Sequence, residues 1–152
     1  MKPRDWLGLF VALAACYGAA AIGAQFTPGD WYADLAKPSW NPPSWLFAPV
    51  WTALYGMMAV AAWLVWRSSA AVRTALALFA FQLMLNAAWS WLFFGLKRPD
   101  LAFADIVLVW FAILATTAAF FRIRTAAGIL MLPYLFWVSF ATALNYAIWR
   151  LN

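Results

Sequence analysis

The sequence predicts an all-α membrane protein, a bundle of five transmembrane helices with a long, partly helical loop between helices 1 and 2. Of its 152 residues, 68% are hydrophobic and only 10% are charged, whereas a soluble domain carries about 25% charged residues. The apolar residues form five runs, each long enough to cross a bilayer as a helix. We therefore expect a single domain over residues 1–152.

The five predicted spans have well-marked ends. They cover about residues 6–26, 45–66, 74–94, 101–121 and 125–149. The first run follows a charged start with Lys2, Arg4 and Asp5, but it exceeds the apolar core of a signal peptide and further spans follow, so we interpret it as a transmembrane helix. Three of the four connections are short, which predicts antiparallel neighbours.

The first span is rich in small residues. Ala14 and Gly18, Ala15 and Ala19, and Ala19 and Gly23 form small-xxx-small pairs, which allow helices to approach closely. This pattern indicates tight packing within the bundle, and a dimer face is the less favoured alternative.

Residues 37–55, KPSWNPPSWLFAPVWTALY, are the stretch around which the chain is organised. Their prolines predict a stiff, non-helical segment followed by a helix. The helix begins either after Ser44 as N-cap or at Pro49 as first helical residue, and both starts place Trp51 and Tyr55 on one face. The segment is either a pocket wall or lid, or an interfacial belt of aromatic residues.

Polar residues in the third span lie on one helical face. Gln82, Asn86 and Ser90 follow each other at intervals of four residues. Polar side chains in a span normally point into the bundle, either as interhelical hydrogen bonds or toward a ligand. Both interpretations stay open for Asn86.

The fifth span carries a similar stripe. Pro133, Trp137, Ala141 and Asn145 recur every four residues, and Pro133 is expected to kink the helix or to loosen a local hydrogen bond. An aromatic and a small residue on one face form either a ligand notch or an interlock with a neighbouring helix.

Two aspartates lie near the start of the fourth span. Asp100 is expected to cap that helix. Asp105, in its first turns, is expected to reach water, a lysine or an arginine at the interface, which is a structural role.

Composition excludes several classes of chemistry. The chain has no histidine and one cysteine, Cys16, so a zinc site, a histidine-ligated haem and an internal disulfide are not expected. It shows no paired carboxylates, no phosphate-binding glycine motif and no basic stripe for nucleic acid. The remaining chemistry is aromatic surface, with twelve tryptophans, which suits a flat apolar ligand such as a tetrapyrrole or a sterol. Asn86, Tyr55 or Lys37 would fix its orientation.

Four stretches match one known family in order and spacing. They are WYADLAKPSWNPPSW (31–45), WTALY (51–55), QLMLNAAWSWLFFG (82–95) and PYLFWVSFATALNYAIWRLN (133–152). With them the chain resembles the TspO/MBR family, the tryptophan-rich sensory proteins related to the mitochondrial translocator protein. The resemblance implies a five-helix bundle, usually a homodimer, with a pocket under the first loop. Ser39 is a departure, because some relatives have tryptophan there.

The resemblance also implies ligands and site residues. The ligands would be porphyrins such as protoporphyrin IX and haem, sterols such as cholesterol, and synthetic benzodiazepine-type and isoquinoline carboxamide compounds; no cofactor is required. The implied pocket residues are Trp31, Tyr32, Trp51, Tyr55, Asn86, Trp89, Trp137, Phe140 and Ala141. Asn86 and Trp51 would hydrogen-bond a ligand carbonyl, and a larger residue at Ala141 would impair binding.

Three functions follow from the resemblance. The first is a sensor or transporter in tetrapyrrole regulation. The second is light-dependent degradation of protoporphyrin IX, with Trp51 and Trp137 as the catalytic residues. The third is a sterol or lipid carrier or a partner scaffold, using a sterol motif at Leu144, Tyr146 and Arg150.

Basic residues predict the orientation in the membrane. Six lie on the N-terminal side and four on the other, which favours a cytoplasmic N-terminus with the long loop and C-terminus outside. A bacterial cell membrane is the expected location.

Overall fold

The computed structural model describes residues 3–68 and 72–152, and it contains six α-helices in that part of the chain. Their bounds are α1 Pro3–Gly23, α2 Asp30–Asp34, α3 Phe47–Trp66, α4 Arg73–Ser90, α5 Pro99–Ile123 and α6 Thr125–Leu151. All but α2 are long and apolar enough to cross a membrane. The predicted all-α bundle of five spans is confirmed. Lys2 and residues 69–71 of the predicted polar turn lie outside the described residues.

The five spanning helices form a closed ring. α1 packs on α3 and α4, α3 packs on α6, and α5 lies between α4 and α6. At the end with the N-terminus of α1 the interior is filled, with Phe79 of α4 stacked on Phe120 of α5. There the Trp63 indole N–H donates to the Asp5 carbonyl oxygen, and Arg67 lies 3.4 Å from the Asp5 carboxylate. The opposite end carries the long loop.

The start of α3 differs from both predicted starts. Residues Ser44–Leu46 form a single 3₁₀ turn, and the α-helix begins at Phe47. Ser44 makes no side-chain cap, and Pro49 is the third residue of the helix rather than the first. Proline is tolerated there because the first-turn N–H groups have no intrahelical acceptor.

α4 ends in a widened turn. Residues Trp91–Gly95 adopt a π-helix, in which the Leu96 N–H donates to the Trp91 carbonyl oxygen. Lys97 then has a positive φ of 55°, and the Arg98 N–H donates back to the Leu92 carbonyl oxygen. A left-handed residue at this position is the usual way for a helix to end.

The two aspartates of α5 occupy positions other than those predicted. Asp100 is inside the first turn, after Pro99, and accepts from the Arg98 guanidinium at 2.6 and 2.8 Å instead of capping the helix. Asp105 is buried, and its Oδ2 has no hydrogen-bond partner within the described residues. Among the described residues Asp105 pairs with no lysine or arginine, because it faces the interior of the bundle.

α6 is continuous through Pro133 over 27 residues. Only Arg124, in extended conformation, separates it from α5. So short a join makes the two helices antiparallel, and they share the most extensive packing in the bundle.

Candidate functional site

A cavity of about 410 Å³ lies under the long loop. This volume is within the range of pockets for small organic ligands. Each spanning helix supplies part of its wall, and the loop covers it through Phe26, Thr27, Pro28 and Tyr32. We call residues 27–43 the lid.

Aromatic rings form opposite walls of the cavity. Trp51 of α3, Trp89 of α4 and Trp137 of α6 all line it. Trp51 packs beside Tyr55 and edge-on to Tyr134, with ring centroids 5.7 and 6.2 Å apart. The wall therefore offers flat apolar surface on three helices that surround one space.

A chain of buried hydrogen bonds lies beside these walls. The Tyr55 hydroxyl donates to Asn86 Oδ1 at 3.0 Å, and Asn86 Nδ2 donates to the Tyr134 hydroxyl at 2.5 Å. The Tyr134 hydroxyl donates in turn to Gln82 Oε1 at 2.8 Å. These bonds fix the Asn86 amide, whose second N–H donates to no group within the described residues.

Some polar groups of the other walls have hydrogen-bond partners, and one does not. The Trp89 indole N–H donates to Asn145 Oδ1 at 2.9 Å, and Asn145 Nδ2 donates to the Pro99 carbonyl oxygen at 2.8 Å. The Trp137 indole nitrogen is buried and has no hydrogen-bond partner in the described part of the chain. Trp137 thus lines the cavity with its ring, while its indole nitrogen is covered by neighbouring atoms.

The lid rests on aromatic residues of the bundle. Trp31 and Tyr32 of α2 contact Phe93 edge-on, with ring centroids 5.9 and 6.1 Å apart. Trp40 meets Phe140 of α6 in the same manner at 5.7 Å. Burial of Tyr32 between the lid and the bundle raises the pKa of its phenol above the ordinary value, so the phenol stays neutral at physiological pH.

The structure brings most of the predicted pocket residues to this cavity. Seven line it: Tyr32, Trp51, Tyr55, Asn86, Trp89, Trp137 and Ala141. Trp31 and Phe140 do not; each packs one layer behind, against Phe93 and Trp137 respectively. Of the stripe on α6, Asn145 also lines the cavity, whereas Pro133 is exposed.

Lys37 does not reach the cavity. Its ammonium group donates to the Ala33 and Leu35 carbonyl oxygens and lies 4.6 Å from the centre of the Tyr32 ring. Lys37 therefore stiffens the lid, and its predicted role in orienting a ligand has no support in this geometry.

The three residues of the sterol motif face different ways. Leu144 is buried and lines the cavity, whereas Tyr146 and Arg150 are exposed on the outside of α6. A single ligand in the cavity would contact only the first of them.

Several cavity residues were not predicted from the sequence. They are Tyr17, Ala20 and Gly23 of α1, Phe93 and Phe94 of the π-turn, and Ile106 and Val109 of α5. For α1, the small residues were recognised only as a packing pattern. The same lack of side-chain volume leaves space for the cavity.

Comparison with known proteins decides the family. The sequence model of the TspO/MBR family matches residues 10–150. The chain belongs to the TspO/MBR family. The tryptophan-rich sensory protein of Cereibacter sphaeroides is 44% identical over 148 residues, which cover 97% of this chain and 93% of the relative.

Two further relatives show how widely the TspO/MBR pattern extends. The tryptophan-rich protein TspO of Chlorobaculum tepidum is 46% identical over 156 residues, covering 98% of each chain. The translocator protein of Homo sapiens is 41% identical over 138 residues, covering 86% of this chain and 82% of its own. The family and the five apolar helices make this chain a multi-pass integral protein of the bacterial membrane.

Proposed function

We propose that this TspO/MBR protein binds porphyrins such as protoporphyrin IX in the cavity under the lid and acts as a sensor or transporter in tetrapyrrole regulation. The observation that carries the proposal is the set of three tryptophans, Trp51, Trp89 and Trp137, on three helices around one cavity. Indoles offer large flat surfaces, and their contacts with another aromatic system are favourable beyond simple burial.

Polar groups at the cavity suit the acidic edge of a porphyrin. The second N–H of Asn86 is a donor, and a porphyrin carboxylate is an acceptor. Hydrogen bonds to a charged acceptor are stronger than those between neutral groups. We therefore assign orientation of the ligand to Asn86, one of the two residues, with Trp51, to which the resemblance had assigned it.

Light-dependent degradation of protoporphyrin IX is the second candidate function. The observation that favours it is that Trp51 and Trp137 line the same cavity. An indole can donate one electron to a photoexcited porphyrin, and dioxygen, as the oxidant, would take that electron from the porphyrin radical anion as superoxide. The indole radical cation would then regain an electron from the porphyrin, so that the net change is one-electron oxidation of the porphyrin by dioxygen. Such chemistry needs no acid–base pair, which agrees with the absence of histidine.

We extend the proposal to a homodimer. Only Cys16 and Ala19 of α1 are buried, so most of its small residues face outward from a single chain. Two copies could approach closely along this helix. Mass determination of the detergent-solubilised protein tests this, with a dimer expected and a monomer at all concentrations contradicting it.

A protoporphyrin IX titration of the purified protein tests the proposed function. The wild type, Trp51→Phe, Trp137→Phe and the control Trp6→Phe, which lies exposed on α1 outside the cavity, are titrated in darkness by porphyrin absorbance and then illuminated in air. We expect saturable binding by the wild type and the control, and weaker binding by the two cavity variants. No saturable binding by the wild type would overturn the proposal.

Illumination separates the two candidate functions. Loss of the porphyrin bands that depends on the protein and is abolished by the Trp51 and Trp137 changes supports the enzyme. Saturable binding without such loss supports the sensor or transporter.

A further inference from the structure

Among residues 3–68 and 72–152, a single residue pair joins the lid to the spanning helices by hydrogen bonds. The Ala36 N–H donates to Asn152 Oδ1 at 2.9 Å, and Asn152 Nδ2 donates to the Ala36 carbonyl oxygen at 3.0 Å. The side-chain amide thus pairs with both backbone groups of Ala36, much as a neighbouring strand would. We call this pair the clasp.

Asn152 is itself held in place on α6. Its Nδ2 also donates to the Ile148 carbonyl oxygen at 2.8 Å, one helical turn earlier. Both amide hydrogens are then used, and Ile148 is one of the residues that line the cavity. The clasp therefore joins the lid to the same segment of α6 that forms the cavity wall.

The other contacts between lid and bundle are apolar, and besides aromatic rings they include Leu35, which packs on the buried cluster that contains Leu144 and Ile148. α2 packs on Phe93, and Trp40 packs on Phe140. Ring contacts of this kind tolerate sliding and tilting, whereas two hydrogen bonds to one residue fix a register. Ala36 lies between these two aromatic contacts in sequence, so the clasp fixes the middle of the lid.

We propose that Asn152 is a positioning residue whose clasp with Ala36 holds the lid closed and sets the rates at which ligands enter and leave the cavity. The part that concerns ligands rests on the proposed function, and the part that concerns the lid does not. Loss of the clasp leaves the aromatic contacts and the cavity walls unchanged, so the lid opens more often without a change in the binding surface.

Hydrogen exchange of the unliganded protein tests the clasp. Asn152→Ala is compared with the wild type and with Leu151→Ala, a truncation of the adjacent exposed residue, which makes no clasp. Hydrogen bonds of this type stabilise modestly, so we expect exchange in residues 30–41 to become about ten-fold faster in Asn152→Ala only. Unchanged exchange in these residues would overturn the proposal.

A conservative variant separates the clasp from a general loss of stability. Asn152→Asp keeps the size of the side chain but puts a carboxylate oxygen where Nδ2 donates to the Ala36 and Ile148 carbonyl oxygens, so both bonds are lost. We expect hydrogen exchange in the lid to be at least as fast as in Asn152→Ala, with exchange in α3 to α6 unchanged. Faster exchange throughout the helices in both variants would mean that Asn152 stabilises the whole bundle, and would overturn the proposal.

Dark kinetics with protoporphyrin IX test the gate. In Asn152→Ala we expect the dissociation and association rates to rise together, each about ten-fold, with a much smaller change in Kd. Faster hydrogen exchange in the lid, together with unchanged association and dissociation rates of protoporphyrin IX, would overturn the gating role. If the wild type binds no protoporphyrin IX, the proposed function fails, while the exchange experiment still decides whether the clasp holds the lid.

Discussion

At the scale of single residues, the Tyr134 hydroxyl connects two polar side chains in the interior. It accepts from Asn86 and donates to Gln82, and all three residues are buried. A buried polar group without a partner is destabilising, so these bonds depend on each other. The Gln82 Nε2 already has no partner among the described residues, so Gln82 depends on the Tyr134 hydroxyl for its side-chain hydrogen bond.

Tyr134→Phe is expected to destabilise the fold by about 1–2 kcal/mol, because it leaves Asn86 and Gln82 each short of one partner. Denaturant unfolding in detergent measures the change. Tyr146→Phe, at an exposed tyrosine of the same helix, is the control and should leave the free energy of unfolding unaltered. Equal stability of the two variants would show that the hydrogen-bond chain contributes little.

The sequence predicted which face of α4 points inward, but not which side chains of other helices bond to it. The spacing of Gln82, Asn86 and Ser90 placed them on one side, and the structure directs Gln82 and Asn86 inward. Periodicity cannot tell which tyrosine of another helix lies opposite. For Asn86 the structure realises interhelical hydrogen bonding, and ligand contact stays a proposal.

At the scale of elements, the single-residue join between α5 and α6 depends on Gly128. A Cβ built there would lie 2.3 Å from Phe121 Cγ, at the base of the ring rather than its flexible tip. Gly128 is therefore required for the close approach of the two helices.

Gly128→Ala is expected to destabilise the bundle by about 1–3 kcal/mol through overpacking. Gly29→Ala in the lid is the matched control, because a Cβ there meets nothing within 4 Å and alanine at a compatible backbone position lowers the entropy of the unfolded chain. Thermal unfolding should therefore show a lower Tm for the first variant and an equal or higher one for the second. Equal Tm values for Gly128→Ala and the wild type would contradict the packing argument.

Helix ends were the least predictable elements. The prolines in residues 37–43 predicted that α3 begins only after them, and it does. The 3₁₀ turn at Ser44–Leu46, however, has no marker in the sequence. Likewise, the π-turn at Trp91–Gly95 ends with the left-handed Lys97 where glycine would be expected. At the π-turn, Phe93 and Phe94 pack against Tyr32 of the lid, a contact that local sequence preference cannot predict.

At the scale of the whole molecule, the cavity results from the ring of five helices rather than from one motif. Residues 31–55 and the stripes on α4 and α6 could be recognised in the sequence. Seven of residues 31–55 line the cavity, as do all members of the two stripes except Gln82 and Pro133. The contributions of α1 and α5 could not be recognised, because apart from Tyr17 they come mainly from alanine, glycine, isoleucine and valine, which carry no chemical signal. Their role depends on which helices are neighbours in space.

The structure also relates the two ends of the chain in the membrane. The clasp joins the lid to the C-terminal end of α6, so both lie on one side of the bundle, as five spans predict. A cytoplasmic N-terminus stays a prediction from the count of basic residues.

If the cavity under the lid is the porphyrin site, Ala141→Thr must weaken porphyrin binding. Ala141 lines the cavity, whereas Ala143 is exposed on the same helix and does not. Protoporphyrin IX titrations in darkness should show affinity lowered by about 1–3 kcal/mol for Ala141→Thr, because the larger side chain overfills the space, and unchanged affinity for Ala143→Thr. Equal affinities of both folded variants and the wild type would contradict the placement of the site.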